Sequence, residues 1–268
     1  MPTRDEAWSQ GTPCWVDCQV DDTAKARAYY SALLGWDVQD SPPEAGGYLT
    51  ASLSGKPAAG IGEKSADMEM PSVWTTYFAA DSADEVAEKI TGAGGQVVIP
   101  AFDVMDVGRM LIATDPTGAT FGVWEAKSHK GAGVFNENGA YCWNELHTGD
   151  YGAAKDFYSA VFGYTYTEVG DGVDFSYTTF TLPGGSDSVG GIFDDTMLPA
   201  EVPANWLTWF QSDDIDASLA KATELGSTVI MGPDDSPFGR MLVLAGQQGE
   251  VFGLIDPSTT VGEPPAES

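Results

Sequence analysis

The sequence predicts an α+β fold made of two tandem copies of one domain, each built from βαβββ modules. Two observations carry this. The stretch Cys14–Trp36 (CWVDCQVDDTAKARAYYSALLGW) recurs as Cys142–Tyr164 (CWNELHTGDYGAAKDFYSAVFGY), with eight of 23 positions identical at a constant shift of 128 residues. Strand-like and helix-like patterns then alternate in the same order behind each copy. A chain of 268 residues is long enough for two such cores.

The repeated stretch reads as strand, turn and helix. Residues of Cys14–Val20 alternate, with Trp15, Asp17 and Gln19 on one face and Cys14, Val16, Cys18 and Val20 on the other, toward a helix layer. Asp22 is placed to cap a helix whose apolar stripe is Ala26, Tyr29, Tyr30, Leu33 and Leu34, and Gly35 suits its left-handed stop. Asp150 and Gly163 repeat both ends. Tyr48–Ser54 and Ala58–Glu63 follow as strands, and Met68–Ser72 as a link.

The second module opens with the strand Val73–Ala80. Ser82 and Glu85 form a capping box ahead of the helix Asp84–Thr91. Gln96–Ile99 is a strand, Phe102–Gly108 a loop, and Arg109–Thr114 with Thr120–Glu125 a hairpin around Asp115-Pro-Thr-Gly118. The expected domains are residues 12–127 and 138–257, joined by a linker over 128–137. Copy two repeats the plan, with Asp213 as cap of its second helix, Gln247-Gln-Gly249 in the hairpin turn and Pro257–Ser268 as a tail.

Composition narrows the function. Forty acidic against 12 basic residues give a net charge of −28, which repels phosphate backbones and argues against nucleic-acid binding. No apolar run is long enough for a membrane span, and the N-terminus reads without a signal segment, so a cytoplasmic location is expected. Three cysteines do not make a disulfide framework.

The helix ending AYYSALLGW, the helix ending GAGGQV and the hairpin DPTGATFGVWE together resemble the vicinal oxygen chelate superfamily of glyoxalases, extradiol dioxygenases and bleomycin-resistance proteins. The resemblance implies concave mixed sheets around a cavity in each domain. It also implies metal ligands on the first strand of each module and on a later strand. Here those positions hold Trp15 and Trp143, Thr75 and Leu207, and Gly122 and Gly253. The remaining one falls near Ile61-Gly62 and Ile192-Phe193, where a one-residue slip would offer Glu63 or Asp194. Only two histidines exist, His129 and His147. No metal and no other cofactor is expected.

Each copy instead places a carboxylate, Asp17 or Glu145, two residues after a tryptophan on the same strand face. Beside an indole in an apolar cleft such an acid is tuned for proton transfer; alternatively it pairs with Arg109 or Arg240 and holds the sheet. His147 is a proton partner for Glu145 or an ordinary strand-end residue. Trp15, Trp74, Trp143 and Trp206 form an aromatic wall or pack the core. Gln19, Tyr48 and Tyr77 offer polar contacts, and Arg109 and Arg240 bind an anionic group or form ion pairs. The expected partner is a hydrophobic aromatic small molecule, with a second copy of the chain left open. The leading reading is metal-independent acid/base chemistry (dehydration, cyclisation or isomerisation), for which the resemblance offers aromatic polyketide ring closures as an analogy. A sequestering protein and a metal-dependent lyase or dioxygenase are its rivals.

Overall fold

The computed structural model describes residues 2–65, 70–170, 175–196 and 202–264. Residues 68 and 69 of the predicted link and 265–268 of the predicted tail lie outside these. The first module runs β1 (Pro13–Val20), α1 (Thr23–Leu34), β2 (Asp37–Asp40), β3 (Leu49–Leu53) and β4 (Lys56–Glu63); the second runs β5 (Val73–Ala80), α2 (Ala83–Gly92), β6 (Gln96–Val104), β7 (Gly108–Thr114) and β8 (Thr120–Ala126). Copy two repeats this as β9 (Tyr141–Thr148), α3 (Tyr151–Phe162), β10 (Thr165–Val169), β11 (Tyr177–Thr181) and β12 (Ser188–Asp194), then β13 (Asn205–Gln211), α4 (Ile215–Glu224), β14 (Thr228–Ser236), β15 (Gly239–Ala245) and β16 (Val251–Asp256). Each copy is one eight-stranded mixed sheet, ordered β2-β3-β4-β1-β5-β8-β7-β6 and β10-β11-β12-β9-β13-β16-β15-β14. The predicted βαβββ plan, twice per copy, is what forms.

The caps explain where the helices start. Asp22 accepts from the Lys25 amide at 3.0 Å, Asp150 from Ala153 at 3.1 Å and Ser82 from Glu85 at 3.3 Å. Gly35 and Gly163 close α1 and α3 with φ of 73° and 75°, a conformation that a side chain would strain. In α4 the cap is Asp214, not Asp213, since the helix begins one residue later with Ile215 buried in the core. The predicted loop Phe102–Gly108 is in part strand: two register shifts carry β6 past Pro100, and Phe102, Asp103 and Val104 pair with Met110, Arg109 and Gly108. Strand β2 is polar and exposed apart from Val38, an edge that leaves no alternation to read.

Both sheets turn their helix-covered faces toward each other. β5 meets β13, α1 meets α4 and α2 meets α3. The main cores are therefore shared across copies. One joins Tyr30, Trp36 and Trp74 to Phe210, Leu242 and Phe252, and the other joins Phe78, Leu111 and Phe121 to Tyr158, Phe162 and Trp206. At the centre Asn144 Oδ1 accepts from both Thr76 (2.7 Å) and Thr208 (3.3 Å).

The cross-copy contacts are polar as well as apolar. Trp74 Nε1 donates to the Tyr30 hydroxyl at 3.0 Å, and that hydroxyl donates to Glu250 Oε1 of the other copy at 3.0 Å. In the mirrored arrangement Trp206 Nε1 donates to Tyr158 at 2.8 Å, and Tyr158 donates to Asp115 Oδ2 at 3.1 Å. The two carboxylates arrive by different routes. Asp115 opens its turn, whereas Glu250 closes the equivalent turn, and a β-carbon on Gly246, the counterpart of Asp115, would collide with the Glu250 carboxylate. The acid group thus keeps its place while its chain attachment moves four residues along the turn.

A buried hydroxyl deprived of its acceptor costs about 1–3 kcal/mol. Glu250→Ala should lower stability by about that much, measured by urea unfolding. Adding Gly246→Asp to it should recover most of the loss, because the aspartate would stand where Asp115 stands in copy one. A double variant no more stable than Glu250→Ala would contradict this placement.

Candidate active site

Strand pairing decides which side chains share the concave face. In copy one Trp15 and Asp17 lie opposite Tyr77 and Thr75 of β5, and Asp17 and Gln19 lie opposite Gly60 and Gly62 of β4. In copy two Trp143, Glu145 and His147 lie opposite Trp209, Leu207 and Asn205 of β13, and Glu145 and His147 lie opposite Gly191 and Phe193 of β12.

The face of copy one is closed. Trp15 Nε1 donates to the Tyr48 hydroxyl at 3.0 Å, and the hydroxyls of Tyr48 and Tyr77 both donate to Asp17 Oδ2, at 3.3 and 3.0 Å. Asp17 is 4% exposed, and its Oδ1 accepts no hydrogen bond. Burial pushes the Asp17 carboxyl up to about 6, against the pull of these bonds. The N-terminal residues pack against the linker beside this face. Trp8 Nε1 donates to the Ala132 carbonyl at 3.2 Å and its ring meets Phe135 edge-on at 4.9 Å. His129 packs edge-on against Trp15 at 4.5 Å, and burial pushes its imidazole down to about 4, so it sits there neutral.

The face of copy two is open. Trp143 Nε1 donates to the Tyr177 hydroxyl at 2.8 Å, and that hydroxyl turns toward Glu145. Glu145 Oε1 lies 2.9 Å from His147 Nε2, and His147 Nδ1 lies 3.0 Å from Asp195 Oδ2. The three side chains are 16%, 19% and 17% exposed. Burial alone would lower the His147 imidazole, but the two carboxylates outweigh it and hold it above its ordinary 6.5. Both ring nitrogens face a carboxylate, which suits the doubly protonated ring. Glu145 and His147 thus form a hydrogen-bonded acid–base pair that solvent can reach.

Glycines seat the aromatic rings of both faces. A β-carbon on Gly60 or Gly191 would run into the hydroxyl of Tyr48 or Tyr177, and one on Gly122 or Gly253 would run into the ring of Tyr77 or Trp209. Ring and glycine are complementary, so these positions cannot carry a longer side chain without displacing the wall.

Some expected site residues lie elsewhere. Trp74 and Trp206 pair with Cys18 and Leu146, so they point to the helix side and pack the shared cores. Arg109 binds Asp84 of α2 and Arg240 binds Asp216 of α4, each at 2.9 Å, again on the helix side. Cys14, expected to face the helix layer, sits at a register shift in β1 and lines a crevice of about 200 Å³ with Trp8, Ala79 and Trp124. Four contributors were not foreseen: Tyr177, Trp209, Asp195 and the covering role of His129. The repeat signals the first two, since Tyr177 and Trp209 stand where Tyr48 and Tyr77 stand in copy one.

The model of the Glyoxalase/Bleomycin resistance protein/Dioxygenase superfamily matches residues 14–123 and again 143–254. The chain belongs to that superfamily. It is 42% identical over 263 residues to the glyoxylase-named protein CFP32 of Mycobacterium tuberculosis (strain CDC 1551 / Oshkosh), covering 96% of this chain and 99% of that protein. It is 33% identical over 270 residues to the anthracycline biosynthesis protein DnrV of Streptomyces peucetius, covering 93% and 94%. Among solved structures, the Mn(II)-bound glyoxalase from Novosphingobium aromaticivorans shares the fold, with a TM-score of 0.62 and 17% identity over 95% of this chain and 87% of that one.

The residues present do not fit a metal of the kind this superfamily can carry. At the ligand positions Trp15, Trp143, Thr75 and Leu207 offer no imidazole or carboxylate, and Gly122 and Gly253 are occupied as ring seats. Glu63 and Asp194 pair in register with Val20 and Thr148, off the concave face. Both nitrogens of His147 are taken by carboxylates. Among the described residues no group of three or more His, Cys, Asp or Glu side chains is placed to hold a metal ion.

Two titrations check this geometry. The Asp17 carboxyl, raised from 3.8 to about 6, favours the fold while protonated, and that contribution is lost as pH climbs through about 6. Relative to wild type, Asp17→Asn should therefore gain about 2 kcal/mol between pH 4 and pH 8 in urea unfolding. His147 is raised likewise, so its stabilisation is present below 6.5 and fades as pH rises through its higher folded value. Imidazole NMR should show Glu145→Gln moving the His147 midpoint downward; an unmoved midpoint would deny the pairing.

Proposed function

We propose that the chain is an enzyme of metal-independent acid/base chemistry, such as dehydration, cyclisation or isomerisation, on a hydrophobic aromatic small molecule of the polyketide kind. The observation that carries this is the 2.9 Å contact of Glu145 with His147 on the open face of copy two. Glu145 is the base that takes a proton from the ligand. His147, held by Asp195 and raised above its ordinary value by the two carboxylates, is the acid that returns one. Trp143, Tyr177 and Phe193 line the approach and suit a flat apolar ligand. The resemblance to DnrV, named for anthracycline biosynthesis, supports an aromatic polyketide as the substrate class. The absence of suitable ligand side chains at the superfamily's metal positions supports chemistry done by side chains alone. Asp17, sealed under two tyrosine hydroxyls, takes the structural role in copy one.

The test is conversion of a panel of anthracycline-type aromatic polyketides, followed by mass spectrometry. Glu145→Gln should slow turnover by about 10²–10⁴, while Asp17→Asn keeps it near wild type. Full activity in Glu145→Gln would refute the assignment. Saturable binding without turnover by the wild type would make the chain a sequestering protein, and activity that a chelator abolishes and a divalent cation restores would make it a metal enzyme.

A further inference from the structure

Seven of the eight indole N–H groups in this chain have an acceptor. The eighth, Trp209 Nε1, is buried and has none. A buried donor left unsatisfied costs about 1–3 kcal/mol, and native proteins keep few of them. The place of this one is telling. Trp209 lies on the concave face of copy two, directly across from Trp143, and packs with Leu207, Val243 and Cys142. Leu207, the neighbour of Trp209 on the same face, lies across from Glu145. Successive same-face positions of a strand are about 7 Å apart, so Trp209 stands about one such step from Glu145 on this face.

Copy one shows what the position does when satisfied. Tyr77 occupies it there, seated on Gly122 as Trp209 is on Gly253, and its hydroxyl is spent on Asp17. In copy two the acid bonds to His147 instead. The donor that would have met it is left over.

We infer that Trp209 Nε1–H is a substrate-contacting donor, and that the ligand of copy two is an aromatic carbonyl compound whose oxygen accepts this bond. The inference rests on the reading above, that copy two carries the site, and adds the functional group. The chemistry balances without a co-reactant. Glu145 takes a proton from the carbon beside the carbonyl, the C–H electron pair moves onto the carbonyl oxygen as an enolate, and the N–H holds that oxygen as its charge grows. Return of the proton at the same or a conjugated carbon closes the cycle.

The probes are 2-acetylnaphthalene and 2-ethylnaphthalene, which share shape and differ in the carbonyl. The wild type should bind the ketone roughly five- to tenfold more tightly. In ¹H–¹⁵N spectra the Trp209 indole resonance should move downfield with the ketone only. Trp209→Phe should bind both probes alike. Equal wild-type affinities, or a preference that survives in Trp209→Phe, would overturn the inference. Should that variant not fold, the wild-type resonance decides: unmoved by bound ketone, it overturns the inference. Deuterium exchange of the ketone's methyl protons in D₂O separates the two readings. Exchange that Glu145→Gln abolishes, with an unmoved Trp209 resonance, would sink Trp209 and keep the proton-transfer pair. A shifted resonance, with exchange unaffected by Glu145→Gln, would do the reverse.

Discussion

Each copy's first helix hands a tyrosine hydroxyl to a carboxylate at the closing turn of the other copy, and the rest of the architecture follows from that exchange. Tyr30 and Tyr158 are wholly buried and each receives an indole N–H from its own copy. They can satisfy the remaining polar demand only across the boundary. This draws all four helices between the two sheets and mixes both copies in each main core. The opposite faces of the sheets are then left to turn outward, which is where the reactive side chains stand. Sheets belong to single copies while cores do not, so the halves of this molecule are halves of a sequence more than units of stability.

On the outward faces one structural device serves both copies: a large ring lying over a glycine of the neighbouring strand. It settles two matters together. It builds the aromatic wall, and it removes the position from which a longer side chain could reach a cation. Yet the copies use the same wall differently. In copy one both tyrosines converge on Asp17, and His129 of the linker packs on Trp15 beside them. In copy two only Tyr177 turns toward the acid, which bonds to His147, and the face stays open.

Much of this was written in the chain. The 128-residue repeat located β1, α1 and their counterparts with caps and stops, and alternation put Trp15, Asp17, Glu145 and His147 on the proper face. The errors arose where register has to be followed from one strand to the next. Trp74 looked like a companion of Trp15, but pairing sets Tyr77 opposite Trp15 and sends Trp74 to the helix side. Asp195 was hidden because it stands just past the end of β12, where a turn and not an alternation aims it. Trp209 was hidden because its counterpart is a tyrosine, and identity between copies was the guide. Cys14 escaped alternation through a register shift that no residue type announces.

The displaced carboxylate of the second closing turn also bears on how such a chain can change. Asp115 with Ala119, and Gly246 with Glu250, are two spellings of one group in one place. Genetic exchange between the halves that broke within this turn would yield either two acids crowded into one socket or none. Duplicated segments are ordinarily kept alike by such exchange. Here every crossover inside those five codons is penalised, so this turn holds the two halves apart at one point of their repeat.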